Sequence, residues 1–322
     1  MSETVIGVAG LGLLGRGIVT SFLSRGFRVI ALELSGDVQA DARQYIKTGI
    51  EELVTRGGMD ESLLHEWEAR YTVTTNVPDL ATCEFVVESI FEDPAAKRAL
   101  YDELERIVGP TVPIASNTSA LPISALQKGR KHPQRFIGMH WAMPCHLTRF
   151  LEVIRGEQTD DPTVEAAITL GRRAGKDPSV VQKDVEGFIV NRVGYAQYRE
   201  ALWLLENGVA DAETIDRAIR NARSVWANIA GPFRWMDMSG LAGYAAVMER
   251  LFPKLSCEQG VPKVMRELID SGAKGMANGR GFYDYTSEEV ERWRKLLIEN
   301  VWRVREMTSD LLNEDGTPKT GG

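Results

Sequence analysis

An apolar run, Val5-Ile6-Gly7-Val8-Ala9, passes directly into Gly10-Leu11-Gly12-Leu13-Leu14-Gly15 and then into an apolar helical pattern lasting to Arg25. Strand, glycine turn and helix in that order are the context in which G-x-G-x-x-G carries structural meaning. The first glycine permits the tight turn and the second lets backbone approach a pyrophosphate. The third, with Gly17 behind it, allows close packing of helix on strand, and Leu13 and Leu14 open the helix N-terminus where an anion binds. A second strand pattern, residues 28–32, ends on Glu33, about twenty residues on, where a carboxylate can accept both hydroxyls of a ribose. The following Leu34-Ser35-Gly36-Asp37 offers no base for a 2′-phosphate, so NAD is expected rather than NADP. A flavodoxin-like turn with an ordinary strand-end glutamate is the plain structural alternative.

The chain of 322 residues, 43% of them hydrophobic, is long enough for two domains. A net charge of -7 provides no general attraction to nucleic acid. Neither a secretory leader pattern nor an apolar run near 18 residues is found, so no membrane partner is expected. Cys83, Cys145 and Cys257, odd in number and widely spaced, read as reduced thiols of a cytoplasmic protein. Pro144 interrupts any ligand spacing among His140, Cys145 and His146, and no metal is expected.

Strand patterns at 71–74, 85–88, 112–115, 136–139, 151–154 and 179–182 alternate with helical ones, including Pro94 to Val108 with its proline at the start. That alternation predicts an α/β fold with a mostly parallel, doubly wound sheet of Rossmann type. After Gly187 only helical patterns follow, at 188–207, 211–221, 240–251, 262–271 and 287–312. The expected organisation is therefore a NAD-binding domain over 1–185 and an all-α domain over 186–322, with a frayed tail at 316–322. Val290, Trp293, Leu297, Val301 and Val304 give the last helix an apolar stripe, and Trp203, Trp226 and Trp235 are expected in the core.

Ser116-Asn117-Thr118-Ser119 follows one strand and His140 ends the next, both at the carboxyl edge where α/β sheets bind ligands. Glu152 lies in a strand among Leu151, Val153 and Ile154, where a carboxylate faces solvent or has a buried partner. By itself His140 could equally be a capped strand end. Beside a nicotinamide, however, a histidine with an ordinary pKa near 6.5 suits removal of a hydroxyl proton at neutral pH.

The chain resembles the L-3-hydroxyacyl-CoA dehydrogenase family. The likeness rests on the glycine-rich start, Val86-Val87-Glu88-Ser89-Ile90-Phe91-Glu92 with Lys97, Ser116-Asn117-Thr118-Ser119, and His140 with Pro144. It continues through Leu151-Glu152-Val153-Ile154, Gly187-Phe188-Ile189-Val190-Asn191-Arg192, Gly231-Pro232-Phe233 and Gly279-Arg280-Gly281-Phe282-Tyr283. The resemblance implies reversible oxidation of the 3-hydroxyl of an (S)-3-hydroxyacyl-CoA, a reaction of fatty acid metabolism. His140 would be the base, Glu152 its carboxylate partner, Ser119 a substrate-hydroxyl contact and Asn191 a contact at the site floor. Glu92 and Lys97 match positions near the nicotinamide and its ribose, and Asn117 is grouped with the cofactor side, as are Gly10, Gly12, Leu13, Leu14, Gly15 and Glu33. A homodimer through the C-terminal domain is also implied.

Two departures bear on the substrate. The family commonly has His-aromatic-aromatic-Asn-Pro where this chain has His140-Trp141-Ala142-Met143-Pro144. The segment in which CoA-using members tend to carry lysines is acidic, with Asp37, Asp41, Glu51, Glu52, Asp60, Glu61, Glu66 and Glu68 against Arg43, Lys47, Arg56 and Arg70. That face does not suit the phosphates of CoA, unless its charges merely solvate a helix. Residues 191–201 and the long ending from Glu288 are similar to L-gulonate and L-carnitine dehydrogenases, relatives acting on free 3-hydroxy acids, for which Arg149 or Arg223 could hold a carboxylate. The thioester is the first expectation and the free acid the alternative. A third is a crystallin-like NAD-binding protein without useful turnover.

Overall fold

A computed structural model describes residues 4–313 and 317–319, which fall into two units, Met1–Asn191 and Arg192–Gly322. In the first unit the strands are β1 (Val5–Ala9), β2 (Arg28–Leu32), β3 (Tyr71–Thr74), β4 (Phe85–Glu88), β5 (Ile114–Ser116), β6 (Phe136–Trp141), β7 (Phe150–Ile154) and β8 (Asp177–Val181). They form one sheet in the order β3-β2-β1-β4-β5-β6-β7-β8. Every neighbouring pair is parallel except β6 and β7, which run antiparallel. The helices are α1 (Leu13–Leu23), α2 (Gly36–Thr55), α3 (Leu63–Glu66), α4 (Pro94–Ile107), α5 (Ile123–Gln127) and α6 (Asp161–Arg173). The order turns back on itself between β1 and β4, which places a ligand-binding crevice at their carboxyl ends.

Several helix starts follow from one residue each. Ser35 accepts the Val38 N–H ahead of α2, Asp93 accepts the Ala96 N–H ahead of α4, and Asp160 accepts the Thr163 N–H ahead of α6. Each satisfies a donor that the first helical turn cannot. Proline also occupies the first turns of α4 and α6, where its missing N–H costs nothing.

Strand alternation separates two apolar layers. On one face, Ile6, Val8, Val29, Val87, Ile137, Met139, Trp141, Leu151 and Val153 pack with residues of α1, α2 and α6. On the other, Val86, Ile114, Phe136 and Ile154 pack with Leu100, Tyr101 and Leu104 of α4 and Ile123 and Leu126 of α5. His140 is two residues from Gly138 and four from Phe136, so alternation puts it on the α4 side. The strand runs on to Trp141, which places His140 inside β6 rather than at its end.

The second unit is helical, as its sequence pattern predicts. It comprises most of α7 (Val190–Glu206), then α8 (Ala212–Ala227), α9 (Pro232–Ser239), α10 (Leu241–Leu251), α11 (Lys263–Asp270) and α12 (Ser287–Leu311). The helix α9 was not apparent from periodicity; Pro232 starts it within Gly231-Pro232-Phe233. A capping box between Thr286 and Glu289 starts α12. Among the described residues, none of α7 to α11 is buried.

The tryptophan expectation therefore changes. Trp203 is exposed, and Trp226 and Trp235 are half-buried, stacked on each other with centroids 4.8 Å apart. On α12, Val290 and Trp302 are buried while Trp293 and Leu297 of the stripe are exposed. Of the expected tail, Gly316 and residues 320–322 lie outside the described residues. Thr317 to Lys319 fold back on α12, with Pro318 bridged to Leu312 and the Lys319 N–H donating to the Leu311 carbonyl.

The tightest constraint in the first unit is at the glycine turn. A methyl group on Gly15 would sit 2.0 Å from the Gly10 carbonyl oxygen, and backbone cannot yield that much. Gly15→Ala is expected to cost at least about 3 kcal/mol of stability or to abolish cooperative unfolding. A urea midpoint equal to that of the parent chain would contradict this.

Candidate active site

The elements that converge at the crevice bring most of the sequence-identified residues together. Gly10 has φ +95°, a left-handed conformation that glycine alone adopts readily, and a Cβ there would meet the Ser89 carbonyl at 2.6 Å. Gly12 differs, because a Cβ built on it meets nothing within 4 Å. The start of α1 has no side-chain cap, and among the described residues no acceptor meets the N–H groups of Leu13 and Leu14. Glu33 accepts the Leu11 N–H at 3.0 Å and the Ser35 N–H at 3.0 Å, which fixes its carboxylate beside the turn with lone pairs to spare. An open cradle, free helix-end donors and a fixed carboxylate fit a dinucleotide. NAD, when bound, supplies a hydride acceptor.

The candidate acid–base pair is set by strand register. His140 and Glu152 are directly opposed in the β6–β7 ladder, where facing Cβ atoms approach within about 5 Å. His140 Nδ1 is 2.8 Å from Glu152 Oε2. The His140 ring meets Phe150 edge-on at 5.6 Å and tilts against Phe188 at 5.7 Å, and the residue is 6% exposed. With Nδ1 turned to the carboxylate, Nε2 is left for a reactant.

Glu152 answers the question its apolar neighbours pose, because its other oxygen accepts the N–H groups of Ile189 and Val190, each at 2.9 Å. Those donors open α7, so the positive end of the helix faces the carboxylate. The chain reaches this position through Gly187 at φ +76° and Phe188 at φ +49°. A left-handed phenylalanine is uncommon and costs free energy that the surroundings must supply. Burial pushes the Glu152 carboxyl up, but the hydrogen bond from His140 and the two N–H groups outweigh it and hold the group below the usual carboxylate range.

Ser119 lies three residues beyond β5, half-buried, with its N–H on Glu92 at 3.2 Å and its carbonyl accepting Asn191 Nδ2 at 3.0 Å. No protein hydrogen bond of its hydroxyl occurs among the described residues. Asn191, in the first turn of α7, thus holds the Ser119 backbone. Asn117 is bound on both sides, Nδ2 donating to Ser89 Oγ at 3.1 Å and Oδ1 accepting the Trp141 N–H at 3.0 Å. It ties the ends of β4, β5 and β6.

Glu92 and Lys97 belong to a cluster that extends below the crevice. Lys97 Nζ is 3.1 Å from Glu92 and 2.6 Å from Glu88, and the lysine is 1% exposed. Lys97 sits under Glu92 with its ammonium shared by two carboxylates. Glu92 also accepts Thr118 Oγ1 and the Ser119 N–H. Burial raises its carboxyl, yet the Thr118 hydroxyl, Lys97 and the Ser119 N–H lower it further. Glu88 and Tyr101 were missed in the sequence. Their signal was a glutamate inside an apolar strand, followed by Lys97 and Tyr101 four apart on one helical face. Deleting one partner of such a buried pair costs about 3–5 kcal/mol.

The altered stretch after the histidine forms a loop anchored on both sides. Lys176 Nζ donates to the Cys145 and Thr148 carbonyls and lies 5.2 Å from the Trp141 ring centre. His146 sits between Tyr45 Oη at 3.4 Å and Glu52 at 3.5 Å. Cys145 packs against Gly17 of α1, and burial pushes its thiol up to about 12. Met143 projects from this frame, half exposed. Of the two suggested carboxylate holders, Arg149 is 3.7 Å from Asp177, and Arg223 is exposed on α8.

Comparison with known proteins agrees in family and diverges in substrate. Residues 5–185 match the model of the 3-hydroxyacyl-CoA dehydrogenase NAD binding domain, and residues 187–285 match that of its C-terminal domain. A 5-formyl-3-hydroxy-2-methylpyridine 4-carboxylate 5-dehydrogenase of Mesorhizobium japonicum is 32% identical over 91% of this chain and 96% of its own. A probable 3-hydroxybutyryl-CoA dehydrogenase of Deinococcus radiodurans is 33% identical over 87% of this chain and 99% of its own. A crystal structure of a dehydrogenase for that pyridine acid, described as an NAD+-dependent dismutase, has a TM-score of 0.89 at 30% identity, covering 95% of this chain and 98% of its own. The (S)-3-hydroxybutyryl-CoA dehydrogenase of Ralstonia eutropha has a TM-score of 0.72 at 32% identity, covering 88% of this chain and all of its own.

Two outcomes follow. Gly12→Ala is expected to keep the unfolding midpoint within about 0.5 kcal/mol of the parent while weakening NAD at least about tenfold, because the methyl enters the pyrophosphate cradle. Loss of stability with unchanged affinity would contradict it. Glu92 and Glu152 both have lowered folded pKa values. Each contributes stability that is present above the unfolded carboxylate value, about 4.3, and is lost as pH falls through the folded one. Urea midpoints from about pH 6 to pH 3 should fall less steeply in Glu92→Gln and Glu152→Gln; slopes equal to the parent's would rule this out.

Proposed function

The chain belongs to the 3-hydroxyacyl-CoA dehydrogenase family, and we propose that it oxidises a hydroxyl of a carboxylic acid substrate, with His140 and Glu152 as the acid–base pair. NAD is the cofactor; held at the Gly10–Gly15 turn and by Glu33, it would supply the acceptor for a hydride from the carbinol carbon. His140 Nε2 takes the hydroxyl proton as the carbonyl forms, and returns it in the reverse direction. Glu152 holds the ring through Nδ1, fixes its tautomer and stabilises the imidazolium, the part an aspartate plays in a hydrolase triad. Ser119 Oγ orients the substrate oxygen, while Asn191 keeps the Ser119 turn in place. The observation that carries this reading is the 2.8 Å contact between His140 and Glu152 with the carboxylate charge fixed by two backbone donors.

Of the two substrate forms, the free acid comes first. Within the acidic segment, Arg43 is 3.7 Å from Glu68 and Arg70 is 3.1 Å from Glu66, and eight carboxylates stand against four cations. Little positive charge is left there for the phosphates of CoA. The likeness to the pyridine-carboxylate enzyme also covers a larger share of this chain than the likeness to the hydroxybutyryl-CoA enzyme. The thioester is the second reading, supported by the 33% identity with the Deinococcus protein. Acetoacetyl-CoA with NADH, assayed beside gulonate, carnitine and pyridine-carboxylate alcohols with NAD, separates them. Turnover confined to the thioester would overturn the free-acid assignment.

The second unit joins two copies of the chain. Val193, Tyr195, Tyr198, Phe233, Leu241 and Phe252 are exposed, apolar side chains that a second copy would cover. His140→Gln is expected to leave the NAD dissociation constant within about twofold while turnover falls about 10²–10⁴-fold. Turnover comparable to the parent would remove His140 as the base. NAD binding by the parent without oxidation of any alcohol tested would instead favour the crystallin-like alternative.

A further inference from the structure

Glu88 is completely buried at the last position of β4, in register with Ala9 of β1 and Ser116 of β5. Four donors converge on its two oxygens. Oε1 accepts Lys97 Nζ at 2.6 Å and the Ile90 N–H at 2.9 Å, and Oε2 accepts Tyr101 Oη at 2.6 Å and Ser116 Oγ at 2.8 Å. Its partners on Oε1, an ammonium and a backbone N–H, can only donate, and the two hydroxyls on Oε2 complete a set that favours a carboxylate. Tyr101 stays a neutral donor, its hydroxyl pushed well up by burial and then by Glu88. Lys97 turns the same ammonium to Glu92 at 3.1 Å. Among the described residues no other cation lies within ion-pair distance of either carboxylate. The cluster holds two negative charges against one positive.

The position of this cluster matters more than its size. The helix N-terminus of α1 and Glu33 occupy the β1–β2 side of the switch point, where pyrophosphate and adenosine ribose belong. A dinucleotide held there would have its nicotinamide half over the carboxyl ends of β4, β5 and β6, which lead toward His140. Glu88 and Glu92 lie on that side, and water is excluded from the former. Charge in such a site is screened far less than at the surface. The two oxidation states of the cofactor share every hydroxyl and phosphate and differ by one positive charge on the ring.

We infer that the Glu88–Lys97–Glu92 cluster, through its single excess negative charge, makes the site discriminate between the two oxidation states of its cofactor, holding NAD+ more tightly relative to NADH. The effect biases the enzyme toward loading oxidised cofactor and releasing reduced cofactor, whichever acid it oxidises. Glu88 acts here through the field and through Lys97, as a positioning residue rather than a catalytic one.

The test is the ratio of the two dissociation constants, with NADH followed by its fluorescence and NAD+ by calorimetry. Glu88→Gln preserves shape and removes the excess charge. It should weaken NAD+ about tenfold and change NADH less than about twofold, the size expected of one charge removed at such range in a partly screened site. Tyr101→Phe removes a hydrogen bond from Glu88 but keeps the charge, and should leave the ratio within about twofold. A Glu88→Gln chain that does not fold is replaced by Glu92→Gln, which removes the same charge from the exposed side. Any ribose contact of Glu92 cancels in the ratio, since both forms carry the same ribose. An unchanged ratio in the folded Gln variants, or an equal shift in Tyr101→Phe, overturns the inference.

Discussion

A carboxylate in the middle of an apolar strand must find donors, and Glu152 finds three: the His140 ring and the N–H groups of Ile189 and Val190. They come from two pieces of structure, β6 and the start of α7. The first fixes the ring of the candidate base, and the other two fix where α7 starts. Asn191, one residue on, then holds the carbonyl of Ser119 from across the crevice. A single buried charge thus relates β6, β7, the turn after β5 and the first turn of a helix. The left-handed backbone at Gly187 and Phe188 is a cost the chain carries to deliver those two N–H groups.

At the end of β4, Glu88 does something similar with another set of elements. It gathers a strand end, a helix and a turn around four hydrogen bonds. The two carboxylates have different company. Glu152 is neutralised by oriented backbone and an imidazole, whereas Glu88 shares one ammonium with Glu92. Low dielectric makes both arrangements strong when complete and costly when broken.

Much of this was legible in the sequence because it rests on local rules. The turn from Gly10 to Gly15, the strand ending at Glu33 and the proline-led start of α4 each carry their reason within a few residues. The pairing of His140 with Glu152 was implied by the family resemblance, and the antiparallel register gives its physical reason. Lys97 was harder, because a lysine four residues before a tyrosine on a helix says nothing about which strand-end carboxylate lies beneath it. The tryptophans failed for a different reason. Trp226 and Trp235 cover each other rather than enter a core, and hydrophobicity alone does not distinguish those outcomes. The extension of β6 to Trp141 was hidden by a histidine that polarity would place at an edge.

The antiparallel ladder between β6 and β7 has a consequence for how such a chain can change over time. Opposed strands fix His140 against Glu152 by their own hydrogen bonds, and the intervening segment from Ala142 to Arg149 merely has to close the connection. Cys145 and His146 are packed against α1 and α2 there, while Met143 is half exposed and can change with the pair keeping its geometry. A geometry held by the ladder alone survives substitution at such an exposed loop position, so the pair and its surroundings can change independently.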